Sequence, residues 1–287
     1  MQSPMQRPVP ISVVAFAEPG VEDDAPAYLP MPQGMATYHP PPLPEPEDLA
    51  GHAGCVAVLR QALAALRRPG AVERTETIDL DALADGDRRL LNQVLGEGEV
   101  AAQVRGDPAV QVQESVFAGI WRVVRTAADG TVRDQLQVGA LPPLLVDAAL
   151  AEALQPAPPA PAGLAGVMNA PALLAELEDR SARWQPGQPP HVVNLTLLPL
   201  TPDDSALLDA RLADERVLIL SRGYGNCRIV GTRLPHAWRV TYFNSSDINI
   251  LDTLEVCRVP EVACAAAEDL QDSAERLAEV LDWLDEC

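Results

Sequence analysis

The sequence predicts an α+β fold built from two tandem copies of a related domain, each a mainly antiparallel sheet with flanking helices. Short β-rich runs follow one another with turn residues between them, and helical patterns stand before and after those runs. A third observation is an internal repeat, since Trp121-Arg122-Val123 recurs as Trp238-Arg239-Val240 at an offset of 117 residues. The same offset pairs Leu80 with Leu197, Asp87 with Asp204, Leu90-Leu91 with Leu207-Leu208, Leu95 with Leu212, Val100 with Val217, and Arg105-Gly106 with Arg222-Gly223. An ungapped match of this length indicates a duplicated domain.

Proline-rich stretches set the predicted boundaries of the two copies. Residues 1–47 are crowded with proline, which fixes φ and lacks an amide donor, so an extended or disordered N-terminal segment is expected. The first repeat is then 48–155 and the second is 170–287. Residues 156–169, rich in proline and alanine, are predicted to link them.

Each repeat is predicted to begin with a helix, over residues 55–66 in the first and 172–184 in the second. In the second repeat, a β-rich run over 191–200 predicts a strand. Thr201-Pro202 then offers a cap and a proline for the first helical position, which predicts a helix start.

The rest of the second repeat is predicted to form four strands and a long helix. The strand predictions cover residues 216–220, 228–230, 238–243 and 248–256, with turn residues 244–247 before the last. Pro260 is expected to open the helix. Leu270, Leu277 and Leu281 recur in it at three- and four-residue steps, and the opposite face is acidic and predicted to be solvated.

Composition and charge exclude several function classes. The chain has 41 acidic residues against 21 basic ones, all of them arginine, for a net charge of −20 and a pI near 4.4. Without lysine there is no lysine-dependent phosphate loop, Schiff base or general base. The negative charge argues against nucleic-acid and anionic-membrane partners, because those surfaces bind by neutralising phosphates.

Localisation and cofactor content follow from the apolar runs and the cysteines. No apolar stretch approaches the ~20 residues of a membrane span, and the short run 11–17 lacks the flanks of a signal peptide. The five cysteines show no C-x-x-C spacing, so reduced thiols and no metal or cofactor are expected. We therefore expect a cytoplasmic protein.

One segment concentrates functional side chains between two predicted strands. It consists of Ser221, Arg222, Gly223, Tyr224, Gly225, Asn226, Cys227 and Arg228. A hairpin turn that needs glycine accounts for the spacing, and a partner-binding surface accounts for the side chains. Arg222, Arg228, Arg233 and Arg239 also put positive charge in this region, or they form ordinary ion pairs with carboxylates. The later turn residues Asn244, Ser245 and Asp247 complete the candidate surface.

Cys227 leaves alternatives open. It is either a reactive thiol or metal ligand, or a buried structural cysteine, which is the commoner case. A Ser221–His236–Asp247 hydrolase triad can be written, but the G-x-S-x-G turn of such enzymes is missing.

The motifs together resemble the HupH/HyaF family of [NiFe]-hydrogenase expression and formation proteins. The segments that carry the resemblance are YLPMPQGMATYHPPPLPEPEDL (28–49), LLNQVLGEGEV (90–100), QESVFAGIWRV (113–123), VNLTLLPLTPDD (193–204), ILSRGYGNCRI (219–229), YFNSSDINIL (242–251) and VPEVACAAAEDLQDSAERL (259–277).

The resemblance implies an accessory protein, not an enzyme. Such a protein would act as a chaperone in maturation of an uptake hydrogenase, on the small iron–sulfur subunit precursor before twin-arginine export. Other maturation accessory proteins are further candidate partners. The alternative is a metal- or iron–sulfur-cluster-handling assembly factor that uses Cys227, and a third class is an enzyme acting on a small molecule.

Overall fold

The computed structural model describes residues 52–153, 165–223 and 225–286 of the chain. The predicted N-terminal segment 1–47, most of the predicted linker and Tyr224 lie outside the described residues.

The first segment, residues 52–153, contains three helices and five strands. They are α1 (Ala53–Leu66), β1 (Glu76–Asp79), α2 (Asp85–Leu95), β2 (Val100–Val104), β3 (Ala109–Glu114), β4 (Ile120–Thr126), β5 (Val132–Val138) and α3 (Pro143–Ala153). The predicted first helix is thus confirmed.

The second segment, residues 165–286, repeats much of this order. Its elements are α4 (Ala170–Ala182), β6 (His191–Asn194), a 3-10 turn (Leu195–Leu197), α5 (Pro202–Leu212), β7 (Ala213–Ser221), β8 (Asn226–Thr232), β9 (Ala237–Phe243), β10 (Asn249–Val256), a second 3-10 turn (Glu261–Ala263) and α6 (Ala267–Glu286). The capping box at α5 is present, because Thr201 and Asp204 each accept the other's backbone N–H.

Two predicted elements are wrong in extent. The strand predicted over 191–200 ends at Asn194, because the chain turns into a 3-10 helix whose Thr196 hydroxyl accepts the Asp252 N–H. The helix predicted from Pro260 begins only at Ala267. Residues 261–263 form a 3-10 turn instead, and the Ala265 N–H is held by the Ala140 carbonyl.

All ten described strands form one antiparallel sheet, in the order β1-β5-β4-β3-β2-β7-β8-β9-β10-β6. The two segments meet at the centre, where β2 pairs with β7. Ala102 lies opposite Ile219, and these two residues are 117 apart in sequence. The other four strands of each segment therefore lie on opposite sides of this central pair.

The strand registers of the two segments match at the offset seen in the sequence. Gln113 lies opposite Ala101 and Arg122, just as Val230 lies opposite Leu218 and Arg239. The paired side chains correspond as well. Arg122 bonds to Asn92 and Asp134, and Arg239 bonds to Asp209 and Asp252.

The aspartates that accept N–H groups at a helix start recur at the same offset, whereas one predicted pair of leucines does not match. Asp87 accepts the Cys55 N–H at the start of α1, and Asp204 accepts the Ala170 N–H at the start of α4. Leu80 is fully buried but Leu197 is 79% exposed. The edge strands β1 and β6 differ in register by two residues from the offset of 117, so the pairing of Leu80 with Leu197 is wrong.

Three apolar clusters stabilise the two faces of the sheet. Along β4, Ile120 belongs to the cluster of α1 and α2, and Trp121 to a central cluster on the other face, because successive strand side chains point to opposite faces. The central cluster also contains Trp238 and is covered by α3 and residues 257–264. A third cluster lies under α4 and α5.

Helix α6 belongs to the second segment but packs on the apolar cluster of the first segment. Leu270, Leu277 and Leu281 are buried there with the residues of α1. The acidic face of α6 is exposed, as predicted; its members are Glu268, Asp269, Asp272, Glu275, Glu279 and Asp282. Within the described ranges, none of the helices combines the length and the apolar character that crossing a membrane requires.

Candidate partner-binding site

The two predicted surface segments lie at the same end of the sheet. The connection between β7 and β8 and the one between β9 and β10 are neighbouring turns, since Asn226 lies opposite Phe243 at the start of one strand and the end of the next. The start of β2 is adjacent, because the Arg222 N–H donates to the Glu99 carbonyl at 3.1 Å. The structure thus brings the two predicted surface turns together.

The local structure favours glycine at both glycine positions of the first turn. Gly225 has φ +99°, a conformation that other residues adopt only with strain. A Cβ atom at Gly223 would overlap the Glu99 carboxylate. Ser221 is buried and pairs with Cys227 across the hairpin, whereas Arg222 is exposed. The hairpin interpretation of this segment is confirmed, and the turn presents Arg222 and Asn226 at its surface.

Cys227 is a fully buried member of the central cluster. Burial raises the pKa of its thiol to about 12, and the nearby Glu255 carboxylate adds to the shift. Tyr242, opposite it on β9, is in hydrogen-bond contact with the sulfur. The thiol is therefore held protonated among apolar side chains, which is the environment of a structural cysteine rather than of a nucleophile or metal ligand.

The arginines near the turn have separate roles. Arg239 binds Asp252 and Asp209, so ordinary ion pairing accounts for it. Arg233 lies at the opposite end of β8 and donates to the Ala213 carbonyl. Arg228 is half-buried and faces a cavity of about 90 Å³ beneath α5, which Arg239 also lines. Arg222 is the arginine of this group that the described turn exposes.

The second turn is fixed by its own side chain. The Asn244 carboxamide oxygen accepts the N–H groups of Ser246 and Ile248, at 2.9 and 3.0 Å. Asp247 adopts a positive φ of +56°, which aspartate tolerates better than most residues. Ser245 is exposed at the tip. The loop is therefore held in one conformation by its own hydrogen bonds, beside the first turn.

The structure does not bring Ser221, His236 and Asp247 together as a hydrolase triad. Ser221 and Asp247 lie at the end of the sheet just described, but His236 precedes β9 at the other end. The seven residues of β9 separate them, about 20 Å at the usual rise per strand residue. His236 stacks on Trp184 instead, with ring centroids 3.8 Å apart.

Sequence reasoning missed three glutamates, Glu97, Glu99 and Glu114, at the end of the sheet where the two turns lie. Glu114, at the end of β3, is buried, and burial raises its pKa to about 7, with Glu99 and Asp269 contributing repulsion. Burial also raises the pKa of Glu97, against the opposing attraction of Arg222. The run Gly96-Glu97-Gly98-Glu99 is the sequence signal for two of them. Nothing in the sequence marks Glu114, which the offset of 117 aligns with Gly231.

Sequence reasoning also missed an exposed apolar surface next to the second turn. Ile248 and Ile250 are 60% and 55% exposed, although the β-rich pattern around them suggested an ordinary strand. The described portion of the chain contains no metal site of the usual kind. No group of three or more histidine, cysteine or carboxylate side chains there is arranged to hold an ion.

Comparison with known protein families identifies the chain. A family profile described as "HupH hydrogenase expression protein, C-terminal conserved region" matches residues 53–156 and 167–284. The chain belongs to the HupH family. Its relatives include the hydrogenase expression/formation protein HoxQ of Cupriavidus necator, with 52% identity over 277 residues that cover 96% of this chain and 98% of HoxQ.

Two further HupH-family relatives have the same full-length coverage. The hydrogenase expression/formation protein HupH of Rhodobacter capsulatus is 46% identical over 264 residues, 91% of this chain and 92% of that protein. The hydrogenase-1 operon protein HyaF of Escherichia coli K12 is 33% identical over 273 residues, 93% of this chain and 95% of HyaF. Membership of the HupH family supports a role in hydrogenase expression and maturation.

Proposed function

We propose that this protein is a cytoplasmic accessory protein that acts as a chaperone in maturation of an uptake [NiFe] hydrogenase. Its substrate would be the precursor of the small iron–sulfur subunit before twin-arginine export. The observation that carries the proposal is the match along nearly the whole chain to proteins named for hydrogenase expression and formation. The role is one of binding rather than catalysis, and other maturation proteins are candidate co-partners.

The surface that supports this role is the sheet end formed by residues 221–223, 225–228 and 244–247. It combines a loop held by internal hydrogen bonds, the exposed Arg222 and the nearby carboxyl group of Glu97. The net charge of −20 favours a partner with basic segments through long-range attraction, and a twin-arginine leader is basic by definition.

The alternative of a metal- or cluster-handling factor has less support. It depends on Cys227 as a ligand, but that thiol is fully buried and protonated. Soft metals bind thiolates, so a ligand role would require the central cluster to open.

The two segments are, we propose, copies of one domain, with the boundaries 48–155 and 170–287 joined by the linker 156–169. The recurring arginine–aspartate pairs and helix caps support this, as do the two segments that the family profile matches. In that arrangement the second copy alone has the Ser221 to Arg228 turn, because Asp107 and Pro108 stand where Tyr224 and Gly225 stand.

A capture experiment tests the proposed function. The full chain, tagged, is presented with three prey proteins: the small-subunit precursor, the same subunit without its leader, and the large subunit. We expect retention of the precursor, weakened by added salt. Equal retention of precursor and leader-deleted protein with equal salt dependence would contradict leader steering, and retention of neither form would contradict the chaperone function.

A further inference from the structure

Exposed large apolar side chains are concentrated at one edge of the sheet. Among the described residues, seven such side chains are exposed, and five of them lie on or next to β6, the following 3-10 turn and the start of β10. They are Val192 (49%), Leu197 (79%), Leu198 (39%), Ile248 (60%) and Ile250 (55%). We call these five residues the apolar edge. A soluble protein seldom exposes apolar side chains in such a group unless another molecule covers them.

Strand pairing and one hydrogen bond place the five residues along the β6–β10 edge. The Thr196 hydroxyl accepts the Asp252 N–H at 2.8 Å, which fixes the 3-10 turn against β10, close to Ile250. Val192 lies on β6, the last strand of the sheet, opposite Glu255 of β10. Ile248 directly follows the Asn244 to Asp247 turn, so the surface continues the candidate partner-binding site.

The two edges of the sheet differ in chemistry. The opposite edge strand, β1, has the sequence Glu76-Thr77-Ile78-Asp79, in which only Ile78 is buried and the other three are polar. Charged and polar residues on an edge strand discourage pairing with other chains. The β6 edge lacks that protection, since its exposed side chain is a valine beside four further apolar residues.

The charges around the apolar edge restrict its occupant. Asp247 precedes it and Glu255 lies across from Val192, while Arg239 is already bonded to Asp252 and Asp209. A second copy of the chain would bring −20 against −20. Residues 18–51 of the chain itself are also acidic, with seven carboxylates and no arginine, and residues 1–17 bring a single arginine to the apolar run 11–17. An apolar partner that carries positive charge fits the site better than either.

We propose that the apolar edge is a docking surface for an extended polypeptide segment that joins an apolar run to arginine or lysine residues. An extended segment can lie along a sheet edge and place alternate side chains against the exposed apolar residues. The positive residues would then meet Asp247 and the acidic sheet end. This inference rests on the proposed function, because a basic region followed by an apolar run is the composition of an export leader.

The test uses the full chain and three fluorescent peptides. The first peptide has two arginines followed by about ten leucine and alanine residues, the length of a leader's apolar run. The second replaces the arginines by glutamine, and the third replaces the leucines by serine. The protein variants are the double substitution Ile248→Ser/Ile250→Ser and, as a matched control, Val72→Ser, whose side chain is exposed outside the apolar edge.

We expect saturable binding of the first peptide and binding at least about tenfold weaker for the other two, because both the apolar and the charged contact contribute. The double variant should bind the first peptide at least about tenfold more weakly, and Val72→Ser should bind it like wild type. Circular dichroism and the urea midpoint of both variants should match wild type.

Several results would overturn the inference. They are equal binding by wild type and the double variant, no binding of the first peptide, or a wild-type dimer that the double variant converts to a monomer. Capture of the precursor separates this failure from that of the proposed function. If wild type and the double variant retain the precursor equally, the docking surface is wrong and the function stands. If wild type does not retain it, the function itself fails.

Discussion

Glu114 provides the sharpest test of how burial controls stability in this protein. Its carboxyl group lies at the end of β3, is 5% exposed and accepts the Gly119 N–H at 3.3 Å. Burial raises its pKa from 4.5 to about 7, with repulsion from Glu99 and Asp269 adding to the shift. In the folded protein the Glu114 carboxyl group therefore stays mostly protonated below about pH 7. In the unfolded chain the same group ionises near pH 4.5.

The sign and size of the pH effect follow from this shift. Below pH 4.5 Glu114 is protonated in both states, and its burial does not reduce the free energy of unfolding. As the pH rises from there to about 7, the unfolded chain gains from ionisation that the folded state resists, so the free energy of unfolding falls. The total loss is about 3 kcal/mol, from a shift of roughly 2.5 units at 1.36 kcal/mol per unit. Because the pI is near 4.4, the practical range starts at pH 5.5, and about 2 kcal/mol of the loss falls between pH 5.5 and 8.5.

The substitution Glu114→Gln should remove this dependence, because glutamine keeps an acceptor for the Gly119 N–H and does not ionise. Urea unfolding at several pH values measures the difference in free energy of unfolding between variant and wild type. We expect the variant to gain about 2 kcal/mol relative to wild type from pH 5.5 to 8.5. The exposed Glu279→Gln variant is the control and should show no such trend. A difference for Glu114→Gln that stays constant over this range would refute the reasoning.

Three further predictions concern the packing of the fold. Leu277→Ala should lower the free energy of unfolding by about 3 kcal/mol in urea titration, because α6 fills the first segment's cluster, whereas exposed Glu275→Ala should change it by less than about 0.5. Trp121→Phe and Trp238→Phe should each cost about 1–3 kcal/mol in the same titration, since both indoles are buried and each indole N–H donates to a backbone carbonyl, that of Gly139 or of Arg258; a cost for only one of them would contradict their equivalence. Burial opposes ionisation of Asp204, but the N–H groups of residues 168–170 and 201 hold its pKa below the usual range. Wild type should therefore lose stability on acidification below about pH 4, and Asp204→Asn should lower the urea midpoint at pH 7 and flatten that acid loss.

Much of the second segment follows from local signals in the sequence. Thr201-Pro202 places the start of α5 because a cap and a fixed φ act on the neighbouring residues alone. The alternation in 238–243 predicts β9, and the leucine spacing of α6 predicts its buried face. The strand predicted to Leu200 and the helix predicted from Pro260 failed because tertiary hydrogen bonds, to Asp252 and Ala140, decide those boundaries.

The candidate site was predicted only in part. Its turns were identified from glycine, asparagine and serine, whose conformational preferences are local. Arg233 and Arg239 belong to other contacts, because the strands direct them to the opposite end of β8 and to Asp252. The burial of Cys227 and Glu114 depends on neighbouring strands and on the segment after β10, so composition and spacing alone do not show it.

The sequence by itself determined the α+β class, the offset of 117, the exclusion of lysine chemistry and the family. These depend on residue identity and short-range periodicity. Only the tertiary structure decided that β2 pairs with β7 to join both segments in one sheet, and that α6 crosses to the first cluster. It also decided which edge of that sheet exposes Ile248 and Ile250. Strand order and register are set by contacts between residues far apart in the chain, and the same apolar alternation is compatible with several partners.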